Sequence, residues 1–211
     1  MNSDTPKIRV LLVDDHFVVR TGLASSLGLE PDIEVVGSAS SVDEAVKECR
    51  TVQPSVVVMD WRMPGRNGVE GTQAVRAVSP SIRVVLFSAF DSEEDIYSAV
   101  QAGASAYLTK ASSRAELLHA IRTVSNGDSF YPAAVAARLA ARIQRQEVTP
   151  REKEAVLLIL RGLSNKEIAV ELGVSEATAK LHIAHLMTKL GARDRTHAAS
   201  LALRRGIVRL D

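Results

Sequence analysis

The sequence predicts an α/β domain followed by a smaller all-α domain. Over residues 1–127, five short apolar segments, most of them rich in β-branched residues, alternate with segments in which apolar residues recur at helical spacing. Such repeated strand–helix units are typical of a doubly wound, five-stranded parallel sheet with helices on both faces. From Thr149 onward the apolar period is helical throughout, which indicates a domain without a sheet.

Each predicted element of the first part is short. The strands are residues 7–13, 33–36, 55–59, 82–87 and 105–109. The helices are residues 16–27, 41–51, 67–77, 91–101 and 113–125. Capping boxes, Asp91 with Glu94 and Ser113 with Glu116, mark two helix starts, and Gly127 is expected just after the last helix.

The composition is that of an ordinary globular protein. Hydrophobic residues make up 46% and charged residues 24% of the 211 positions, which excludes a wholly disordered, collagen-like or disulfide-scaffold chain. The longest aliphatic run, residues 155–160, is much shorter than the roughly 20 residues of a membrane span, and no signal peptide is recognisable. The single cysteine, Cys49, excludes an intrachain disulfide and is expected to be buried. We therefore expect a cytoplasmic protein without a membrane partner.

The net charge of +1 is unevenly distributed along the chain. Residues 1–127 carry 12 basic and 16 acidic side chains, whereas residues 148–211 carry 11 basic and 7 acidic ones. An acidic first part and a basic last part indicate different partners for the two domains.

Chemically active residues follow the predicted strands at the points where they end. Asp14 and Asp15 follow the first strand, Asp60 the third, Ser88 the fourth and Lys110 the fifth. In open α/β sheets, ligands bind beyond the carboxyl ends of the strands, so these side chains are expected to share one edge. Three carboxylates favour a cation, and oxygen-only ligands suit Mg²⁺. A lysine opposite the metal indicates a phosphoryl group between the two.

Other interpretations of these residues are weaker. No glycine-rich dinucleotide or P-loop motif follows the first strand. A single aspartate at a strand end is usually a cap, and a single lysine is usually solvated, but their joint placement favours a site. His16 could be a proton-transfer group or a metal ligand, although a surface turn residue is the favoured interpretation.

Four segments together resemble the receiver domain of bacterial two-component response regulators, which has a flavodoxin-like fold. They are V-D-D-H (13–16), V-V-V-M-D-W-R-M-P-G-R-N-G (56–68), L-F-S-A (86–89) and Y-L-T-K (107–110). The resemblance covers residues 7–125. It implies that Asp60 accepts a phosphoryl group from a phosphohistidine of a sensor histidine kinase. Mg²⁺ would be bound by Asp15, Asp60 and the backbone carbonyl of Arg62, with Asp14 acting through water.

The resemblance also implies a switch. Lys110 and Ser88 would contact phosphoryl oxygens, and Tyr107 would turn inward as Ser88 moves. Arg62 and Phe90 stand at positions that in this family tune the lifetime of the phosphoryl group. Both are bulky, so we expect them to screen the acyl phosphate from water.

Residues 128–147 are predicted to be a helical linker, with a connector helix over residues 132–147. Proline at its start is typical of a first helical turn. Val135, Leu139 and Ile143 recur at a spacing of four, so the helix is either a plain spacer or packs an apolar stripe on one domain.

The last part contains a helix-turn-helix pattern. Capping boxes at Thr149 and Ser164 start its first two helices, Gly173 interrupts the pattern, and a third helix is expected over residues 175–189. A fourth is expected over residues 194–205. One arc of the third helix is its core stripe, and the opposite arc suits a DNA groove, where apolar atoms can meet thymine methyls. The stripe is Ala179, Ile183, Leu186 and Leu190, and the opposite arc is Ala177, Lys180, Leu181, Ala184, His185 and Thr188. Arg161, Lys166, Lys189, Arg193 and Arg195 are candidate phosphate contacts.

On these features alone a generic helical bundle remains an alternative to DNA binding. The segments V-T-P-R-E-K-E (148–154), G-L-S-N-K-E-I-A (162–169), L-G-V-S-E-A-T-A-K-L-H-I (172–183) and K-L-G-A-R-D-R-T-H-A-A (189–199) resemble the LuxR-type helix-turn-helix. This resemblance implies that Lys180 and Leu181 meet base edges or nearby backbone, and that the fourth helix pairs two protomers. Ala184 stands where some relatives have a basic residue, so we expect more phosphate and shape readout than base hydrogen bonding.

Together, the two resemblances predict a NarL/FixJ-class response regulator. Its domains would be a receiver (1–127), a helical linker (128–147) and a LuxR-type DNA-binding domain (148–211). We expect a phosphorylation-dependent transcription regulator that uses Mg²⁺ and binds promoter DNA as a homodimer, with no enzymatic activity beyond self-phosphorylation and slow self-dephosphorylation. The alternatives are a Mg²⁺-dependent phosphatase and a DNA-binding protein whose receiver is idle. The phosphatase motif D-x-D-x-T is absent at Asp60, and the complete acid–serine–lysine set argues against an idle receiver.

Overall fold

The computed structural model describes residues 6–89 and 92–209. These residues form two compact units, one of residues 6–89 and 96–137 and one of residues 92–95 and 138–209. The predicted cap at Asp91 and the predicted role of Phe90 lie outside the described residues. The domain boundaries at residues 127 and 147 stay a prediction.

The first unit contains the predicted five-stranded parallel sheet. Its strands are β1 (Ile8–Val13), β2 (Ile33–Ala39), β3 (Val56–Asp60), β4 (Arg83–Ser88) and β5 (Ala106–Thr109). Their order in the sheet is β2-β1-β3-β4-β5, and every neighbouring pair is parallel. The doubly wound α/β class is therefore confirmed. Buried Val and Leu side chains from the central strands, with Met59 and Phe87, form the core on both faces of the sheet.

The second strand is longer than the sequence pattern predicts. It runs to Ala39 rather than residue 36, because a register shift between Val10 and Leu11 of β1 lets β1 pair with Gly37, Ser38 and Ala39. Glycine and serine have low strand propensity, so sequence alone hides this extension.

Five helices accompany the sheet near their predicted positions. They are α1 (Phe17–Leu27), α2 (Val42–Val52), α3 (Gly68–Val78), α4 (Glu93–Gln101) and α5 (Arg114–Ser125). The capping box of Ser113 and Glu116 is present, and Gly127 has a φ of 100° just after the end of α5. A further capping box, Asn67 with Glu70, starts α3 and fixes the end of the loop that follows β3. Cys49 is buried on α2, as expected.

The connector helix α6 (Ala133–Ile143) ends four residues before the predicted limit. The boundary between the two compact units falls within it, between Ala137 and Arg138. Val135 is buried whereas Ile143 is exposed, so the predicted apolar stripe does not behave as one surface.

The second unit is a helical domain. Its helices are α7 (Pro150–Leu160), α8 (Asn165–Leu172), α9 (Glu176–Leu190) and α10 (Arg195–Arg204). The predicted capping boxes at Thr149 and Ser164 are both formed. Gly173 ends α8 in the left-handed conformation, with a φ of 65°, and Ser175 caps α9 after a tight turn. No helix among the described residues is long and apolar enough to cross a membrane.

Candidate functional site

The carboxyl ends of four strands bring the predicted site residues of the first unit to one edge. Asp14 directly follows β1, Asp60 and Ser88 are the last residues of β3 and β4, and Lys110 directly follows β5. All but Lys110 are buried, and the lysine is partly buried. Because parallel strands end at the same edge, residues separated by almost a hundred positions meet here.

Lys110 joins two of the carboxylates. Its Nζ lies 2.8 Å from Oδ2 of Asp14 and 3.1 Å from Oδ1 of Asp60. Burial alone would lower the pKa of Lys110, but the hydrogen bonds and charges of the two aspartates outweigh it and raise the pKa above its ordinary value. The lysine is therefore a fixed positive charge beside Asp60.

The carboxylate of Asp60 lies in an environment that disfavours its charge. The side chain is only 6% exposed. Burial raises its pKa, the neighbouring charge of Asp14 raises it further, and Lys110 offsets only part of this effect. A cation beside Asp60 would relieve this cost.

The remaining acidic residue, Asp15, supplies an oxygen without a hydrogen-bond donor. Its Oδ1 is the buried side-chain polar atom that lacks a donor among the described residues. The imidazole Nδ1 of His16 lies within ion-pair distance of this atom, at 2.9 Å, without forming a hydrogen bond to it. One ligand atom each from Asp14, Asp15, His16 and Asp60 can be chosen so that all lie within 4.8 Å of one another. This oxygen-rich cluster with an orphaned carboxylate oxygen fits a hard divalent cation such as Mg²⁺.

The two residues predicted to switch lie at the ends of neighbouring strands. Ser88 is fully buried, and its backbone carbonyl accepts a 2.7 Å hydrogen bond from the backbone N–H of Lys110. Tyr107 on β5 is fully buried, so its side chain is already inside. Its ring makes an edge contact with Trp61, at 5.9 Å between centroids and 63° between planes. The residue after Asp60 therefore touches the predicted switch residue.

Sequence reasoning missed two contributors to this edge, Trp61 and Arg20, and favoured a surface position for a third, His16. Trp61 links Asp60 to Tyr107 as described above. The guanidinium of Arg20 donates to the backbone carbonyl of Asp14. His16, expected as a surface turn residue, is exposed but faces the carboxylates. Arg20 lies in the first turn of α1, shortly after the acidic pair. A basic residue at that position was the sequence signal for this contact. Arg62, the predicted carbonyl ligand, is exposed and lies two residues after Asp60.

In the second unit, α9 separates into the two predicted arcs. The four residues of the predicted core stripe are buried in the core of the helical domain. The opposite arc is exposed, and Leu181 on it is 52% exposed. Leu181 and the exposed alanines Ala177 and Ala184 give this arc apolar atoms, which suit contact with thymine methyls in a DNA groove. The exposed residues of this arc are Ala177, Lys180, Leu181, Ala184, His185 and Thr188.

The predicted phosphate-contacting cations differ in how free they are. Lys166 and Arg161 are exposed, and Lys180 is exposed in an i,i+4 pair with Glu176 at 2.8 Å. Lys189, in contrast, is held within the domain, since its Nζ lies 2.8 Å from the carboxylate of Glu152. The prediction of Lys189 as a DNA contact thus meets a competing structural partner that the sequence pattern did not reveal.

Comparisons with known families agree with this arrangement. Residues 10–122 match the response regulator receiver domain, and residues 146–202 match the luxR family of bacterial regulatory proteins. The first match contains the whole acidic edge, that is, Asp14, Asp15, Asp60, Ser88 and Lys110 at the carboxyl ends of the strands. The second match contains α7 to α9.

Two curated relatives match nearly the full length of the chain. LiaR, a transcriptional regulatory protein of Bacillus subtilis, is 38% identical over 209 residues, which cover 95% of this chain and 99% of LiaR. The response regulator protein VraR of Staphylococcus aureus is 34% identical over 206 residues, covering 95% of this chain and 99% of VraR.

Solved structures give the same result. The response regulator ChrA of a heme-sensing two-component system has a TM-score of 0.56 and 37% identity, over 97% of this chain and 100% of that chain. RcsB of Salmonella typhimurium has a TM-score of 0.75 at 21% identity, over 92% of this chain and 98% of that chain, and supports the fold alone. The chain therefore belongs to the two-component response regulators of the NarL/LuxR family, and it is a transcription regulator with a receiver domain and a LuxR-type DNA-binding domain.

Proposed function

We propose that Asp60 is the phosphoacceptor and that its phosphorylation switches dimerisation and DNA binding by the C-terminal domain. The observation that carries this proposal is the placement of Asp60. It is a buried carboxylate whose Oδ1 lies 3.1 Å from the ammonium of Lys110, at the edge that also holds Asp14 and the orphaned oxygen of Asp15.

The phosphoryl donor is a phosphohistidine of a sensor histidine kinase. A carboxylate oxygen of Asp60 attacks phosphorus, the P–N bond breaks, and the bonding pair returns to the imidazole of the kinase. The product at Asp60 is an acyl phosphate. Lys110 neutralises phosphoryl charge, and its ammonium is already fixed in place by Asp14.

Mg²⁺ would be held by Asp15, Asp60 and the carbonyl of Arg62, with Asp14 acting through water. When bound, the ion would neutralise negative charge on the phosphoryl oxygens. The raised pKa of Asp60 fits this role, since the buried carboxylate gains most from a cation beside it. No enzymatic turnover beyond self-phosphorylation and slow self-dephosphorylation is proposed.

Ser88 and Tyr107 would transmit the change. A phosphoryl group on Asp60 offers a new acceptor to the hydroxyl of Ser88, and movement of Ser88 changes the space beside Tyr107. Trp61 directly follows Asp60 at the end of β3, so its ring contact with Tyr107 gives β3 a second connection to Tyr107. This is a local change of charge that biases a two-state element.

The exposed arc of α9 would enter the major groove of promoter DNA. Lys180, Leu181, Ala184, His185 and Thr188 lie on it, and Lys166 supplies a flanking charge. The related fold of RcsB has been solved as a complex with DNA. We propose that this chain binds DNA as a homodimer on paired half-sites, with centres roughly 34 Å apart or a multiple of that distance.

The test measures DNA binding and molecular mass with and without acetyl phosphate and Mg²⁺. Wild type is compared with Asp60→Ala and with Asp43→Ala, which removes an exposed carboxylate of the same unit. The proposal expects the donor to tighten binding and raise the mass of wild type and Asp43→Ala but not of Asp60→Ala. Equal DNA binding by all three proteins, with or without the donor, would contradict it and favour a receiver that does not control the output.

A further inference from the structure

After α5 the chain returns to the sheet and lies along its edge strand, β5. The backbone N–H of Phe130 donates to the carbonyl of Ser105 at 2.9 Å, and Phe130 forms a parallel bridge with Ala106. The hydroxyl of Tyr131 donates to the carbonyl of Ala104 at 2.7 Å. We call Phe130 and Tyr131 the linker strap. Because an edge strand leaves a row of backbone groups unpaired, the strap satisfies part of that row.

The side chains of the linker strap hold it against the first unit. Phe130 packs on the hydrophobic core that includes Ala106 and Leu108 of β5. Its ring also meets the imidazole of His119 on α5 edge to face, with 4.9 Å between centroids and 87° between planes. Burial raises the pKa of the Tyr131 phenol, which is therefore held away from water. The start of the linker is thus fixed to both β5 and α5.

The linker strap lies between the predicted switch and the chain that leads to the second unit. Ala106, which bridges Phe130, directly precedes Tyr107 on β5. On the other side, the strap is followed by α6, a helix that continues across the boundary between the two units. Val135 in the first turn of α6 is buried. The strap is therefore the point at which the strand that carries Tyr107 meets the covalent path to the DNA-binding domain.

We propose that the linker strap couples β5 to the DNA-binding domain and that Phe130 is its positioning residue. The proposal rests on the proposed function, in which phosphorylation of Asp60 acts through Ser88 and Tyr107. A segment that is hydrogen-bonded to a strand and packed on it moves with that strand, whereas a free spacer does not. A shift of β5 thus reaches α6 through Phe130. Releasing the strap leaves phosphorylation of Asp60 intact and separates it from DNA binding.

The experiment compares the affinity of the full chain for DNA with and without acetyl phosphate and Mg²⁺. The probe is a duplex selected in vitro for binding by the wild-type protein. Phe130→Ala removes the ring, and Tyr131→Phe removes only the hydroxyl that bonds Ala104. Leu29→Ala is the control, because it shortens an apolar side chain of the same unit that is 77% exposed.

We expect Phe130→Ala to reduce the donor-induced gain in DNA affinity at least about threefold, while the phosphorylated fraction of Asp60 stays within about twofold of wild type. Tyr131→Phe should reduce the gain in the same direction but less, and Leu29→Ala should keep it. Hydrogen exchange at the Phe130 amide, followed by NMR, gives a second readout. Phosphorylation should change this exchange rate by at least about twofold in wild type, which a purely structural strap would not show.

Three results would overturn the proposal. A wild-type gain in DNA affinity in both Phe130→Ala and Tyr131→Phe would mean that the linker is a plain spacer. Loss of Asp60 phosphorylation in these variants would mean that the strap supports the acceptor site instead of transmitting its state. An Phe130 amide whose exchange is the same in both states of wild type would contradict movement of the strap. If Phe130→Ala does not fold, Tyr131→Phe decides, because it keeps the ring. A wild-type protein that does not respond to the donor contradicts the proposed function itself, so the two failures are distinguishable.

Discussion

The ammonium of Lys189 lies 2.8 Å from the carboxylate of Glu152 and joins the last turn of α9 to the first turn of α7. The same carboxylate accepts a 2.8 Å hydrogen bond from the backbone N–H of Thr149, so it also completes the capping box of α7. Lys189 donates in addition to the backbone carbonyl of Glu147 at 2.9 Å. The side chains of Lys189 and Glu152 are only 18% and 4% exposed, which gives this pair a structural role inside the DNA-binding domain.

We expect Lys189→Met to destabilise this domain. It leaves the buried Glu152 carboxylate without its cation, which costs roughly 1–3 kcal/mol for a pair that keeps some solvent access. Urea denaturation followed by circular dichroism measures the change. The control is Lys180→Met, because the exposed pair of Lys180 with Glu176 should contribute no more than about 0.5 kcal/mol. If both substitutions lower the free energy of unfolding equally, the pair of Lys189 with Glu152 stabilises the domain no more than an exposed pair does.

The same pair predicts a pH dependence of stability. Burial alone would raise the pKa of Glu152, but its hydrogen bonds with Lys189 and Thr149 outweigh burial and lower it below the ordinary value of 4.5. The unfolded chain therefore binds this proton more tightly than the folded one. The contribution of Glu152 is fully present above the ordinary pKa and is lost as the pH falls through the folded-state pKa.

Stability measured at several pH values checks this sign. Wild type should be more stable than Glu152→Gln near pH 7, and the difference should shrink as the pH falls below the ordinary carboxyl pKa of 4.5 and through the lower pKa of folded Glu152. A difference that stays constant down to the acid range would mean that the charge of Glu152 does not contribute.

Salt dependence separates a phosphate contact from a structural lysine. If Lys180 touches a DNA phosphate, Lys180→Ala should reduce the slope of log K against log salt concentration by about 1. Lys189→Met should weaken binding through the fold and leave the slope near that of wild type. The measurement is DNA affinity at a series of salt concentrations, at a temperature at which both variants are folded. A wild-type slope in Lys180→Ala would argue against a phosphate role for Lys180.

Much of the acidic edge could be predicted because its signals are local in sequence. Asp14, Asp60, Ser88 and Lys110 each lie at a strand end, and a parallel sheet brings such ends together whatever the rest of the chain does. Sequence also separated the two arcs of α9, since a helical period alone decides them. The partner of Lys189 was hidden because Glu152 lies 37 positions away, on another helix. The orientation of the His16 ring was hidden for a different reason, because it depends on side-chain torsions rather than on any repeating pattern.

Gly68 is predicted to be essential for the loop that follows Asp60. A Cβ at Gly68 would lie 2.8 Å from Cδ2 of Leu86, 3.0 Å from Cα of Trp61 and 3.1 Å from the carbonyl oxygen of Asp60. Two of these atoms belong to the backbone of Asp60 and Trp61 and cannot move without shifting the end of β3. We expect Gly68→Ala to destabilise the receiver by about 1–3 kcal/mol and to change Trp61 fluorescence.

A second glycine provides the control for this steric effect. Gly22 is exposed within α1, and a Cβ there would meet no atom within 4 Å. Gly22→Ala should therefore stabilise the receiver by about 0.5–1 kcal/mol, because alanine is the better helix former. Thermal unfolding of the two variants gives the comparison, and a stable Gly68→Ala variant with wild-type fluorescence would contradict the close approach.

Arg62 is predicted to lengthen the life of the phosphoryl group on Asp60. Its side chain is exposed and starts two residues after the acceptor, where it can cover the acyl phosphate and hinder an attacking water. Asparagine is shorter and uncharged, so Arg62→Asn should speed dephosphorylation about three- to tenfold, equivalent to about 0.7–1.4 kcal/mol in the barrier. Decay of the phosphorylated protein after removal of the donor measures this rate. Arg66→Asn is the control, because Arg66 lies on the same loop but pairs with Asp43 at 3.1 Å. If wild type loses its phosphoryl group as fast as Arg62→Asn, Arg62 does not shield Asp60 from water.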